Sequence, residues 1–305
     1  MQRRQFLQCS IAGAAAISMS SREHAIGRDP IARTGPSRFQ VGLAAYSLRQ
    51  YFSFSKGKDQ KPRSDGKAID MPGFLDFCVA NDFDTAELTS YFFRPNADDQ
   101  YFLNLKREAY KRGITISGTA IGNNFTVGKG PKLEKEIEDA IAWIDRAALL
   151  GAPHIRFFAG TGKQLNANPA RLVEATDALN RCADHAASKG IFLGVENHGN
   201  LTAEQMLAIM DRTDNPWVGI NLDTGNFLSD DPYRDLEICA PYAVNIQVKV
   251  KMKSPSGEHY EADFDRIAKI LKNAKYSGFV ILEYEEKDPY QGIPKAASRL
   301  RAALA

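Results

Sequence analysis

From residue 39 to the C-terminus, short β-rich runs alternate with longer stretches of helical period, and this rhythm admits few folds. The runs fall at 39–47, 85–89, 114–121, 154–159, 191–197, 218–223, 243–249 and 279–285. Several, such as IFLGV at 191–195 and FVILEY at 279–284, are almost continuously apolar, as strands covered by helices on both faces are. Between them the spacing predicts helices at 70–81, 99–112, 132–150, 169–189, 202–212, 232–240, 263–273 and 289–303. In the third of these Leu133, Ile137, Ala140, Ile141, Ile144 and Ala148 make one apolar stripe, preceded by Pro131 and stopped by Gly151. Leu172, Ala175, Leu179, Cys182 and Ala186 make another, stopped by Gly190. Eight strand–helix units over residues 39–305 fit an α/β fold of the (β/α)8 TIM barrel type, which takes about 250 residues. The open doubly wound sheet is weaker: AYSLRQ stands at 45–50, where a Gly-rich phosphate fingerprint would follow the first strand. The expectation is a single barrel domain.

Residues 1–38 stand outside that rhythm. Arg3-Arg4, then Phe6-Leu7 and an Ala-rich apolar stretch from 11 to 19, resemble a twin-arginine (Tat) signal followed by a flexible tether. That reading places the protein outside the cytoplasm, in the periplasm or beyond. Removing residues 1–25 takes away Arg3, Arg4, Arg22 and Glu23, so the net charge falls from +2 to about 0. A near-neutral domain carries no broad cationic field for nucleic acid, and no apolar run approaches the roughly 20 residues of a membrane span. Cys78, Cys182 and Cys239 remain, an odd and scattered set that reads as buried thiols rather than a disulfide framework.

In a barrel of this type chemistry gathers at the C-terminal strand ends, so the polar residues closing each apolar run are informative. The fifth run closes on GVENHGN with Glu196, Asn197 and His198; the sixth closes on INLDTGN with Asp223 and Asn226. The seventh, VNIQVKVK, sets Gln247 and Lys249 on one face, and the eighth, ILEYEE, does the same with Glu283 and Glu285. Carboxylates gathered at one mouth resist ionisation unless a cation holds them. Two Glu, one Asp and a Gln amide favour a hard divalent ion, Mn²⁺ or Mg²⁺, with Zn²⁺ or Co²⁺ as alternatives.

GVENHGN, NLDTGN, NIQVKVK and ILEYE, in this order, resemble the xylose isomerase-like sugar phosphate isomerase/epimerase superfamily, with the resemblance running over residues 39–305. It implies a barrel holding one divalent metal through Glu, Asp, His and Glu of its last four strands. Carried over, the metal ligands are Glu196, Asp223 and Glu283, and Glu196 and Glu283 form the acid/base pair flanking the substrate carbon. Two positions depart. Gln247 stands where the family has His, with Lys249 of the same pattern retained, and Asn226 stands where a second His is common. Gln247 is a candidate fourth ligand through its amide oxygen; a site that binds no metal strongly is the other reading.

These residues suit proton removal beside a carbonyl, with the resulting enediolate charge stabilised by a cation. Return of the proton to the opposite face gives an epimer; return to the neighbouring carbon gives an aldose–ketose isomer. Loss of a β-substituent would make a lyase, as in relatives acting on 3-keto-glycosides. The expected partner is a small sugar or keto-sugar, with association into a homo-oligomer left open. Candidate substrate contacts are His198, Asn197, Asn226, Lys249, Lys253, Glu87, Tyr46 and Asn123, the last in a loop with Asn124 and Phe125. His154 opens its strand and His185 lies within a helix, so both read as structural. The polar segment 53–67 follows the first strand at the mouth and reads as a lid or as disordered. An apurinic endonuclease-type phosphodiesterase on this barrel would need a histidine-rich zinc site, which four scattered histidines beyond residue 25 do not supply. A catalytically inert carbohydrate-binding barrel is the rival from a different class.

Overall fold

The computed structural model describes residues 28–305; the expected signal, at 1–27, lies outside them. Eight parallel strands close a barrel: β1 (Phe39–Ala44), β2 (Thr85–Thr89), β3 (Thr115–Ala120), β4 (His154–Phe157), β5 (Phe192–Glu196), β6 (Val218–Asp223), β7 (Ala243–Lys249) and β8 (Gly278–Glu283). Each pairs with its sequence neighbours, and β8 closes on β1 from Phe39↔Gly278 to Leu43↔Leu282.

The outer helices are α1 (Met71–Ala80), α2 (Asp99–Lys111), α3 (Pro131–Leu150), α4 (Gly162–Ala167), α5 (Ala170–Lys189), α6 (Ala203–Arg212), α7 (Pro232–Cys239), α8 (Phe264–Asn273) and α9 (Pro289–Leu304). In α3 the buried face is Leu133, Ile137, Ala140, Ile144, Ala147 and Leu150, close to the stripe read from sequence. Both α3 and α5 end on a glycine at positive φ, Gly151 and Gly190, whose N–H groups bond back to the last turn. Cys78, Cys182 and Cys239 are buried free thiols. No helix among the described residues is long and apolar enough to cross a membrane.

Three local features differ from expectation. β1 stops at Ala44 because the chain tightens into a 3₁₀ turn over Ala45–Leu48, held where Ser47 Oγ accepts from the Tyr284 N–H. The short helix α4 was not foreseen; a reciprocal Thr161–Gln164 capping box starts it, and that signature is short enough to pass for loop. Segment 53–67 carries a two-residue ribbon, Phe54–Ser55 against Lys58–Asp59, and docks on the mouth through Lys56 N–H to the Tyr91 carbonyl at 2.8 Å.

The barrel interior is polar where many barrels are packed with branched aliphatics. Its inward side chains include Thr85, Glu87, His154, Arg156, Asn221, Asn245 and Gln247, all buried. His154 fills the N-terminal end because β3 and β5 offer no side chain against it. A Cβ on Gly118 would stand 2.8 Å from its Nδ1, and one on Gly194 would collide with its Nε2. Neither ring nitrogen has a hydrogen-bond partner. Burial, then the nearby Arg156 charge, lowers its pKa from 6.5 to about 3. The unfolded chain therefore takes up a proton below pH 6.5 that the folded one refuses until about pH 3, so this residue costs stability as pH falls through that window. We expect the wild-type protein to lose ~2 kcal/mol more between pH 7 and pH 5 than a His154→Leu variant, measured by urea denaturation at both values.

Candidate active site

Strand register assembles the site. Glu283 pairs across with Lys249, Asp223 with Gln247, Glu196 with Asn221, and Glu87 with Ala44 of β1. Because inward residues recur every second position, Asn245, Gln247 and Lys249 climb the inside of β7 from the barrel centre to the mouth.

At the centre an amide chain runs from strand to strand. Asn245 Nδ2 donates to Asn221 Oδ1 at 2.7 Å, and Asn221 Nδ2 donates to Gln247 Oε1 at 2.6 Å. Gln247 Nε2 then reaches the Glu87 carboxyl at 3.3 and 3.5 Å. Burial, reinforced by Glu283 and Glu196, pushes the Glu87 pKa up to about 8, so this carboxyl keeps its proton at neutral pH.

One level higher, Arg156 Nε stands 2.8 Å from Glu196 Oε2, an ionic contact not aligned as a hydrogen bond. Its Nη1 donates to the Ile121 carbonyl at 2.5 Å. The other Glu196 oxygen accepts from Asn226 Nδ2 at 2.8 Å. Burial raises the Glu196 pKa, with Arg156 opposing the shift. The guanidinium also lies 4.1 Å from the Phe158 ring centroid, and His198 stacks on that ring at 4.3 Å. His198 sits exposed at the rim; partial desolvation against Phe158, then the charges of Arg156, Lys249 and Lys56, hold its pKa down to about 4.

At the mouth the ammonium of Lys249 is shared. Nζ lies 3.4 Å from Asp223 Oδ2, 3.4 Å from Glu283 Oε1 and 2.7 Å from Glu285 Oε2. Asp223 is fully buried; its Oδ1 accepts from the Gly225 N–H at 2.8 Å, and Oδ2 has no hydrogen bond. Burial pushes the Asp223 pKa up and the adjacent Lys249 ammonium opposes it, so carboxyl and ammonium titrate as a pair. The charges of Asp223, Glu283 and Glu285 outweigh desolvation and hold Lys249 firmly protonated. A cavity of about 360 Å³ opens above, lined by Arg49, Asn226, Lys249, Lys253, Glu283 and Glu285. That volume suits a sugar ring.

The residues expected to bind substrate divide by position. Asn226 and Lys249 face the cavity, with exposed Lys253 at its edge. Tyr46 is half-buried beside them, its ring 6.1 Å from Tyr91 and under the Arg49 guanidinium. Asn197 is a correction: it is fully buried, donating to the Asp223 carbonyl at 2.9 Å and accepting from the Asp223 N–H at 2.8 Å, so it clamps β5 to β6. Asn123 likewise bonds both backbone groups of Phe158. Glu87 lies beneath the cavity on the amide chain.

The four expected metal ligands are each engaged by another partner. Gln247 spends its amide oxygen on Asn221 and turns its NH₂ to Glu87. Glu196 is taken by Arg156 and Asn226, and Lys249 stands between Asp223 and Glu283. Among the described residues no three His, Cys, Asp or Glu side chains are grouped to hold an ion. A divalent ion on Glu196, Asp223, Gln247 and Glu283 therefore does not fit this arrangement.

Arg156 was missed. The signal was present in HIRFF, where an arginine falls at an inward position of an otherwise apolar strand.

Residues 75–303 match the sequence profile of the xylose isomerase-like TIM barrel family. No curated protein matches the chain in sequence. Among solved structures, D-psicose 3-epimerase from Clostridium cellulolyticum H10 superposes with a TM-score of 0.68 at 16% identity, covering 87% of this chain and 99% of that one. The 3-keto-D-glucoside 4-epimerase of E. coli gives 0.62 at 15%, covering 87% and 100%. The probable 3-DHS dehydratase of Bacillus anthracis gives 0.62 at 18%, covering 86% and 98%.

Proposed function

The chain belongs to the xylose isomerase-like TIM barrel family, and from that premise we propose that it is a sugar isomerase or epimerase that moves a proton beside a carbonyl. The observation that carries this reading is the pair Glu196 and Glu283, on β5 and β8, each with its own cation: buried Arg156 at Glu196 and partly exposed Lys249 at Glu283. Glu283 borders the cavity and has Lys249 as its ion-pair neighbour, which suits a carboxylate that must accept a proton from carbon. Glu196, held by Arg156 and Asn226 with its pKa raised by burial, suits the group that returns one from the other face. His198, neutral at working pH, and Asn226 offer hydrogen bonds to sugar hydroxyls. The substrate is a small keto-sugar, in line with the epimerases that share the fold. The Arg3-Arg4 signal supports an exported protein.

One observation favours elimination from a 3-keto-glycoside as a second reading. A further cavity of about 470 Å³, walled by Tyr91, Phe93, Trp143 and Arg146, opens at the loops that follow β2 and β3 and has room for a second ring. Product analysis by ¹³C NMR tests both. Ketoses and 3-keto-glycosides incubated with the protein should yield an epimer or aldose isomer. An unsaturated sugar plus a free leaving group moves the assignment to a lyase. Saturable binding with no product from any of them leaves an inert carbohydrate-binding barrel and defeats the proposal.

A further inference from the structure

We propose that the ammonium of Lys249 is the resident cation of this mouth, supplying in place of a divalent ion the positive charge that meets the substrate carbonyl. The inference rests on the proton-transfer reading above for its catalytic half, and on geometry alone for the exclusion of metal.

Three carboxylates from three positions converge on Nζ: Asp223 at 3.4 Å, Glu283 at 3.4 Å and Glu285 at 2.7 Å. Two of them, Asp223 and Glu283, are groups a metal would need. An ion bound between them would stand within a few ångströms of Nζ, where two cations repel strongly at low dielectric. Gln247 completes the exclusion. At the strand position where an imidazole would offer a ring nitrogen, this chain has an amide whose oxygen is already engaged by Asn221 at 2.6 Å. Arg156 is the other cation of the interior, but its guanidinium is committed below to Glu196 and the Ile121 carbonyl. Lys249, by contrast, lines the cavity a sugar would occupy.

The chemistry balances without another reactant. Glu283 takes the proton from carbon, the C–H electron pair forms the enediolate double bond, and the carbonyl π pair moves to oxygen. There the oxygen accepts a hydrogen bond from the Lys249 ammonium. Reprotonation of carbon by Glu196 in its protonated form restores the carbonyl, and proton exchange with solvent water returns Glu283 to carboxylate and Glu196 to acid.

Mn²⁺ titration followed by EPR, on protein first dialysed against EDTA, tests this with a readout independent of turnover. The wild-type chain is expected to leave Mn²⁺ free at equimolar concentration. Lys249→Met and Lys249→Gln should bind it at least about tenfold more tightly. Chelated wild-type protein should exchange substrate deuterium as fast as protein given Mn²⁺, and both variants should lose exchange in EDTA. Stoichiometric Mn²⁺ binding by the wild-type chain overturns the proposal whether or not the variants fold. So does exchange that appears only with metal. If Mn²⁺ stays free but no sugar exchanges, the isomerase reading fails while the assignment of Lys249 as resident cation stands.

Discussion

Replacing Glu283 by Gln is expected to slow proton exchange on the substrate about 10²–10⁴-fold, the usual contribution of a positioned general base. The same change should leave the fold intact. Glu283 ends β8 at the mouth and is 8% exposed, and its ion-pair partner Lys249 keeps Asp223 and Glu285. An amide of the same shape still fills the space but cannot take a proton from carbon. The check is the deuterium wash-in rate of the variant beside its thermal unfolding. A rate within threefold of wild type, with an unchanged melting curve, would remove Glu283 from the mechanism.

Arg156→Met is expected to act on the fold instead, destabilising it by about 3–5 kcal/mol, the cost of leaving a buried ion without its partner. The side chain crosses the interior of β4, faces Glu196 at 2.8 Å and ties to the Ile121 carbonyl. Its removal leaves Glu196 buried with Asn226 alone and strips Glu87 of the charge that opposes its protonation. The double variant Arg156→Met/Glu196→Gln should recover part of the loss, because no charge is then left unpaired. Guanidinium denaturation of the four proteins of this cycle reads the coupling directly. Strict additivity would mean that the ion pair contributes nothing.

These two residues also mark how far the sequence could be read. The architecture was legible because its signals are local: apolar runs of strand length, helical stripes such as Leu133–Ile137–Ile144, and glycines such as Gly151 and Gly190 at helix ends. The convergence of Glu196, Asp223, Gln247 and Glu283 on one end of the barrel followed from strand order alone. What each would touch did not, because partners come from strands far apart in the chain. Arg156 and Glu196 are 40 residues apart, and Gln247 and Glu87 are 160. Gln247 and Lys249 illustrate the limit. Donor types suggested a ligand and a substrate contact; side-chain geometry gives an amide turned to the barrel centre and an ammonium among carboxylates. Asn197 looked like a mouth residue for the same reason and is instead a backbone clamp.

The polar interior also explains why local fit matters here. Asn245, Asn221 and Gln247 pass hydrogen bonds along a chain of amides to the Glu87 carboxyl, and such a network stabilises in proportion to how fully it is satisfied. His154 stands apart from that chain, a neutral ring with no partner, held by shape between Gly118 and Gly194.

The central claim is that this mouth moves protons on sugar carbon, and solvent deuterium tests it most directly. Keto-sugars incubated with the folded protein in D₂O, then examined by proton NMR and mass spectrometry, should gain one deuterium at the carbon beside the carbonyl, faster than the protein-free control. Unlabelled sugar recovered from every candidate that demonstrably binds the protein would contradict the account.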